Sequence, residues 1–225
     1  MVSTSDPIVL ALPFRGTWQA QNSPARRVPS HGTHLFATTY AIDFIALRDG
    51  RPADVRDWRT LFGTEPNERF HAFGQPILAP AAGTVVAVHD GEPDHVARRS
   101  PLTLVHYALT QASRARHGPA ALAGNHVIVQ ISGGYVLLAH LRCGSILVGP
   151  GDAVDIGQWL AACGNSGNST QPHLHLQVMD SPDAATARGV PMAFRWYRAG
   201  RRPDGPERVV EQGMPAESEI VESSV

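Results

Sequence analysis

The stretch GNHVIVQISGGYVLLAHL, residues 124–141, decides the fold class of this chain. Two runs rich in aliphatic and β-branched residues flank the turn sequence Ser132-Gly-Gly134, and this pattern predicts a β-hairpin. Similar short runs follow at close intervals, for example at residues 158–163 and 173–178, with glycine and proline between them. Strands this short and frequent predict a mainly β fold with an antiparallel sandwich or barrel-like core.

Outward from this hairpin, the sequence divides into three parts. Residues 1–30 form a lead-in, residues 31–180 form the domain, and residues 181–225 form a C-terminal extension. We expect this extension to be partly disordered, because its end is rich in Arg, Pro, Glu and Ser. The stretches 48–75 and 91–123 interrupt the strand pattern, and they are predicted to be insertions built from loops and short helices.

The composition excludes several classes of function. All 19 basic residues are arginine, and the formal net charge is -1, so the chain has no general attraction to nucleic acid. Residues 149–158 have the turn-and-strand pattern of biotinyl or lipoyl carrier domains, but the chain has no lysine to which such a cofactor could be attached. No apolar run approaches the roughly twenty residues that a membrane span requires.

Two features bear on the compartment in which the protein works. The first residues lack the basic and apolar regions of a secretion signal, and this alone predicts a cytoplasmic protein. Cys143 and Cys163 are too few for a disulfide framework or a four-thiolate metal site. We expect two free thiols, with a single bridge between them as the alternative.

The most informative polar pattern is His173-Leu-His175 within an apolar run. On a strand, residues two apart point to the same face, and two imidazoles on one face are costly to bury unless each has a partner. A metal ion provides such a partner. The preceding glycine-rich loop, GNSGNSTQP at residues 164–172, offers hydroxyl and amide groups at the edge of a cleft. The pattern is compatible with a metal site or with two surface histidines.

Three further residues can contribute to such a site. Asp43 interrupts the apolar run YAIDFIAL, where a carboxylate requires either solvent or a positive partner. His34 lies nine positions earlier, so the chain can fold back and bring both side chains onto one ion. His140 follows four apolar residues in the second strand of the hairpin, where a histidine is compatible with a site, the core or the surface.

In their order along the chain, these motifs resemble the catalytic domain of lysostaphin/LytM-type zinc peptidases. The resemblance covers about residues 31–47 and 76–178. The matching segments are PILAPAAGTVV (76–86), GNHVIV (124–129), Ala139-His140-Leu141, VGPGDAVDIGQ (148–158) and GNSGNSTQPHLH (164–175).

The resemblance implies a zinc-dependent endopeptidase that cuts peptide bonds in the cross-bridges or stem peptides of peptidoglycan. It implies one Zn²⁺ per chain, bound by His34, Asp43 and His175. It also implies that His140 and His173 act beside the metal as catalytic residues. A wall hydrolase acts in the cell envelope or outside the cell, in contrast to the compartment that the N-terminal residues predict.

One departure from the family pattern leaves the first ligand open. The first histidine and the aspartate are often four residues apart in the family, whereas nine separate His34 from Asp43 here. His31 is the alternative, and we expect His34 because His31 requires a still longer loop. The alternative function is a non-catalytic LytM-like binding module, although such relatives typically lose zinc ligands and this chain has candidates for all three.

Overall fold

The structure is a computed structural model, and it describes residues 6–55, 57–100, 119–201 and 208–223. Within these residues the chain is mainly β, as the sequence predicts. None of the helices in the described part has the length and apolarity that a membrane crossing requires. The strands are β1 (Ile8–Leu10), β2 (Thr17–Gln21), β3 (Ile42–Ala46), β4 (Pro76–Leu78), β5 (Gly83–His89), β6 (Asn125–Ile131), β7 (Gly134–Leu141), β8 (Ala153–Val154), β9 (Trp159–Ala162), β10 (Leu174–Met179), β11 (Met192–Gly200), β12 (Arg208–Gly213) and β13 (Ile220–Ser223). The α-helices are α1 (Trp58–Phe62) and α2 (Pro119–Ala123), and short 3-10 helices span Leu35–Tyr40 and Asn67–Arg69.

Most strands belong to one large sheet. Its order is β1-β11-β13-β2-β3-β10-β7-β6-β5-β8, with β12 paired to β11. The pairing is antiparallel apart from β1 with β11. Strands β4 and β9 form a second, two-stranded sheet, whose Ile77 and Leu160 pack into the same core as the large sheet. The predicted antiparallel β architecture is therefore confirmed, as one dominant sheet with a small second layer.

Successive side chains along the central strands point to opposite faces of the sheet, and one face is the core while the other is polar. On β3, Ile42 packs into the main core, so Asp43 points to the opposite face. On β10, Leu174 and Leu176 pack into the same core, and His175 between them points away from it. Asp43 and His175 are register partners, so the fold itself sets these two side chains next to each other.

The C-terminal part of the chain contributes strands to the large sheet. Of the predicted extension 181–225, residues 202–207 and 224–225 lie outside the described residues. In the rest, β13 lies between β11 and β2, and Val210 and Val221 are buried. The short apolar runs that form β12 and β13 are diluted by charged neighbours, so average composition underestimates their tendency to form strands.

Within the described residues, the predicted insertions hold both α-helices and one of the two 3-10 helices. Helix α1 and the 3-10 helix Asn67–Arg69 lie within 48–75. Of the second insertion, 91–123, residues 101–118 lie outside the described residues, and α2 forms its end. Cys143 is exposed and Cys163 is buried, and both are free thiols, as expected.

Candidate metal centre

A closed loop brings His31 to Asp43. The backbone N–H of Ser30 donates to the carbonyl of Thr39 at 3.0 Å, so the two ends of the loop meet close to the start of β3. His31 lies at this closed base, with Nε2 3.2 Å from Asp43 Oδ2. His34 lies further out in the same loop, where it is exposed and its Nδ1 is 3.1 Å from Thr39 Oγ1.

Three side chains converge on one point. His175 Nδ1 lies 2.9 Å from Asp43 Oδ1. His31, Asp43 and His175 each offer one ligand atom, and these atoms lie within 4.8 Å of one another. Only 7% of Asp43 and 9% of His175 is exposed, so bulk water cannot fully solvate these polar groups. Two imidazole nitrogens and one carboxylate oxygen form the donor set of a hydrolytic zinc site, which keeps a fourth position for water or substrate.

The hydrogen bond between Ser30 and His31 shows which nitrogen of the His31 ring carries the proton. Ser30 Oγ donates to the carbonyl of Thr38 at 3.1 Å. The same oxygen is 3.0 Å from His31 Nδ1 and therefore accepts from that nitrogen. In the neutral ring, Nε2 keeps its lone pair, and this lone pair faces Asp43.

Gln177 assigns the proton of His175 in the same way. Gln177 Nε2 donates to the carbonyl of Phe36 at 2.8 Å, so its Oε1 accepts from His175 Nε2 at 3.0 Å. The lone pair of His175 Nδ1 then faces Asp43. Two nitrogen lone pairs beside a buried carboxylate repel one another unless a proton or a metal cation lies among them. This arrangement of donors fits a zinc ion.

A β-bulge directs His140 to the same face. The register between β6 and β7 shifts between Asn125 and Val127, so that β7 carries one extra residue. His140 has a left-handed φ of 60°, which is uncommon for a residue other than glycine. The extra residue lets Leu141 return to the core while His140 packs against His173, with ring centroids 4.6 Å apart.

The glycine-rich loop fixes the outer nitrogens of both rings. His140 Nδ1 donates to the carbonyl of Ser166 at 2.9 Å. His173 Nδ1 donates to the carbonyl of Gln171 at 2.8 Å. Since a carbonyl cannot donate, the Nε2 atom of each neutral ring is left without a proton. Each ring therefore offers a proton acceptor, and His173 Nε2 lies 3.8 Å from Asp43 Oδ1.

Two glycines set the glycine-rich loop against the start of β6. Gly124 and Gly167 have left-handed φ values of 62° and 67°. A Cβ on Gly167 would lie 2.3 Å from the backbone nitrogen of Gly124, a distance that real Cβ atoms do not show. The backbones approach so closely that only glycine fits, and this contact determines where the Ser166 carbonyl lies.

Both insertions brace the same loop. Asn165 Nδ2 donates to Asn67 Oδ1 at 2.9 Å and to the carbonyl of His95 at 2.9 Å. The backbone N–H of Arg98 donates to the carbonyl of Thr170 at 2.7 Å. The insertions therefore support the loop that holds the two histidines beside the candidate metal site.

Burial and neighbouring charges shift the pKa values of the carboxylate and the imidazoles of the site in different directions. Burial acts to raise the pKa of Asp43, but nearby His173 and His31 and the close contact with His175 hold it well below its usual range. Burial, followed by the proximity of His173 and His175, holds the pKa of His140 well below its usual value, and burial also lowers the pKa of His173. Burial opposes protonation of His175 too, but Asp43 raises its pKa overall. The site thus pairs an ionised carboxylate with two neutral imidazoles.

The structure brings together most of the residues predicted from sequence. Four of them lie in this site: Asp43, His175, His140 and His173. The preference for His34 over His31 is not reflected in the geometry. Their loop closes through Ser30 and Thr39, which puts His31 at the base and His34 beyond it. The longer loop that counted against His31 is closed by its own backbone hydrogen bond between Ser30 and Thr39.

Sequence reasoning missed the residues that orient the site. Gln177 could have been found, because it follows His175 by two residues and therefore lies on the same face of β10. Ser30 and Asn22, whose Nδ2 donates to Asp43 Oδ2 at 2.7 Å, carry no local signal, since their contacts depend on how separate segments fold together.

Comparison with known proteins identifies relatives. The sequence profile of Peptidase family M23 matches residues 69–187, more than half of the chain. This range includes His140, His173 and His175, whereas His31 and Asp43 lie before it. The chain is 31% identical over 144 residues to the peptidoglycan DD-endopeptidase ShyA of Vibrio cholerae, covering 63% of this chain and 30% of that protein. The chain thus spans about a third of the length of this curated relative.

Two solved structures that the chain matches have lower identity. The catalytic domain of lysostaphin from Staphylococcus simulans matches with a TM-score of 0.34 and 22% identity, covering 57% of this chain and 85% of that one. The catalytic domain of the M23 protein EnpA from Enterococcus faecalis matches with a TM-score of 0.39 and 17% identity, covering 83% of this chain and 90% of that one.

Proposed function

This chain belongs to peptidase family M23, and we propose that it is a zinc-dependent endopeptidase that hydrolyses peptide bonds in peptidoglycan. The observation that carries the proposal is the convergence of His31, Asp43 and His175 beside two neutral imidazoles, those of His140 and His173. We assign the first three residues as zinc ligands and the last two as catalytic residues. We include His31 in place of His34, and the support for this choice is that His31 Nε2 lies 3.2 Å from Asp43 Oδ2.

A bound zinc ion supplies Lewis acidity, which lowers the pKa of water and polarises the scissile carbonyl. The protein's own part is the handling of protons. His140 and His173 each present an unprotonated Nε2, so one of them accepts the proton of the attacking water. The same proton is then available for the leaving amine. The resulting imidazolium N–H can also donate to the oxygen of the scissile carbonyl as negative charge develops there.

The substrate assignment rests on two supports. The relative ShyA is named a peptidoglycan DD-endopeptidase, and the sequence motifs resemble those of other wall peptidases. We propose cross-bridges or stem peptides as the substrate, with the insertions 48–75 and 91–123 selecting the bond.

Digestion of purified peptidoglycan tests this proposal. New amino and carboxyl termini in the soluble fragments, identified by mass spectrometry, are the expected result for the wild type. His140→Ala and His173→Ala should each lower kcat/KM by at least about 100-fold, because each removes one of the two imidazoles that handle the proton and the developing negative charge, while zinc content is retained. His89→Ala is the matched control, since His89 is a partly exposed histidine outside the site, and it should keep full activity.

Two results would contradict the proposal. Full activity in both His140→Ala and His173→Ala would remove their assigned role. Zinc-loaded wild type that binds peptidoglycan without producing new termini would instead favour the non-catalytic binding module.

A further inference from the structure

Asn22 touches the carboxylate at the centre of the site. It follows the last residue of β2, which pairs with β3 so that Gln21 is the register partner of Asp43. Asn22 Nδ2 donates to Asp43 Oδ2 at 2.7 Å, the oxygen that also lies 3.2 Å from His31 Nε2. The contact depends on the backbone, because Asn22 has a left-handed φ of 50°. Asparagine adopts this conformation more readily than most residues.

The residue after Asn22 is fixed from the other end of the chain. The backbone N–H of Ser23 donates to Glu217 Oε2 at 2.8 Å, and Ser23 Oγ donates to the carbonyl of Pro215. The backbone N–H of Ala20 donates to the carbonyl of Glu219 at 2.9 Å. Ser23 is fully buried, so these bonds are shielded from competing water. The segment 215–219, which joins β12 to β13, thus clamps the turn that carries Asn22.

We propose that Asn22 is a positioning residue that orients the Asp43 carboxylate toward the metal, and that residues 215–219 hold Asn22 in place. The inference rests on the zinc site of the proposed function. Both elements lie outside residues 69–187, so the family match does not include this support. The C-terminal strands therefore contribute to the metal site as well as to the sheet.

The chemical reason lies in the geometry of a carboxylate ligand. An amide N–H on Oδ2 fixes the plane of the Asp43 carboxylate, and it occupies a lone pair that would otherwise be free to turn toward other donors. Groups that orient a metal ligand in this way typically contribute 10–100-fold to metal affinity. Loss of the amide should therefore weaken zinc binding without removing any ligand.

Two substitutions isolate the amide donor while tolerating the left-handed backbone. Asn22→Gly removes the side chain, and Asn22→Asp keeps its shape but replaces the donor by a second negative charge beside Asp43. Asp49→Gly is the matched control, because Asp49 has the same φ of 50° and lies in an exposed turn. The clamp is tested by Glu217→Ala, which removes the acceptor for Ser23, and by Glu217→Gln, which keeps one.

The measurement is the zinc Kd, from competition with a chromogenic chelator, together with the Tm of each zinc-free protein. We expect a Kd raised roughly 10–100-fold in Asn22→Gly and a smaller rise in Glu217→Ala. Asp49→Gly and Glu217→Gln should remain near the wild type. Glycine at positions 22 and 49 should change the Tm by similar amounts, which separates positioning from a loss of folding.

The possible outcomes distinguish this inference from the proposed function. Wild-type affinity in Asn22→Gly would overturn the inference alone. An equal loss of affinity in Asp49→Gly would also overturn it, because a general change in stability would then be the cause. A folded wild type that binds no zinc would overturn both the inference and the proposed function.

Discussion

At the scale of single residues, the site is organised by hydrogen bonds on the outer side of each imidazole. Ser30 and Gln177 accept from the ring nitrogens that face away from Asp43, and backbone carbonyls do the same for His140 and His173. Each ring is therefore held in one tautomer with its free nitrogen directed inward. Partners of this kind matter to a metal site nearly as much as the ligands themselves.

Gln177→Ala tests this principle. Loss of the amide frees the His175 ring and removes its link to the carbonyl of Phe36, so we expect the zinc Kd to rise at least about 10-fold. Gln130→Ala is the control, because Gln130 is an exposed glutamine on strand β6 of the same sheet. Equal zinc affinities for the two variants, measured by chelator competition, would show that Gln177 does not orient His175.

At the scale of elements, the bulge in β7 and the glycine-rich loop together position His140. The bulge turns the side chain out of the core, and the carbonyl of Ser166 holds its Nδ1. The left-handed backbone at His140 costs roughly 1–2 kcal/mol in a residue with a Cβ. The fold tolerates this strain because the surrounding bulge and the bond to the Ser166 carbonyl hold His140 in this conformation.

The strain can be measured with two substitutions at His140. Both His140→Gly and His140→Ala remove the imidazole, but only glycine adopts a φ of 60° without strain. We expect His140→Gly to have a free energy of unfolding about 1 kcal/mol higher than that of His140→Ala. In an ordinary strand the order is reversed, so an alanine variant that is the more stable in urea unfolding would contradict the bulge geometry.

Gly167→Ala tests the contact between the glycine-rich loop and β6. The new Cβ meets the backbone of Gly124, so the loop must shift, and the carbonyl that holds His140 must shift with it. We expect a loss of about 2 kcal/mol or more in unfolding free energy, with a fall in kcat/KM. Gly144→Ala is the control, because Gly144 has a similar φ of 70° but open space around its Cβ position. Equal losses in the two variants would show that backbone strain alone accounts for the effect.

At the scale of the whole molecule, the features that depend only on neighbouring residues could be predicted from the sequence. The strand pattern, the HxH pair, Asp43 and His140 are visible because alternation along a strand is a property of neighbouring residues. The choice between His31 and His34 was not visible, because it depends on a loop that closes through Ser30 and Thr39. The placement of the C-terminal strands was missed for a related reason. One partner of β13 is β2, about 200 residues earlier in the sequence, and composition carries no information about such a pairing.

Deleting residues 202–225 tests the role of the C-terminal strands. Strand β13 lies between β11 and β2, so its removal takes one pairing partner from each of these strands and exposes the core that Val221 covers. We expect the Tm to fall by at least about 10 °C, which corresponds to a loss of several kcal/mol in a chain of this size. A Tm equal to that of the full chain, in a calorimetric scan, would show that the extension is only weakly attached.

The central claim is that His31, Asp43 and His175 hold one zinc ion, and zinc content per chain tests it most directly. Elemental analysis should find about one zinc per chain in the wild type and in His34→Ala. His31→Ala and His175→Ala should lose the metal while remaining folded. The opposite pattern, with zinc kept by His31→Ala and lost by His34→Ala, would contradict the assignment of the first ligand. A folded wild type without zinc, after the metal has been supplied, would contradict the metal site itself.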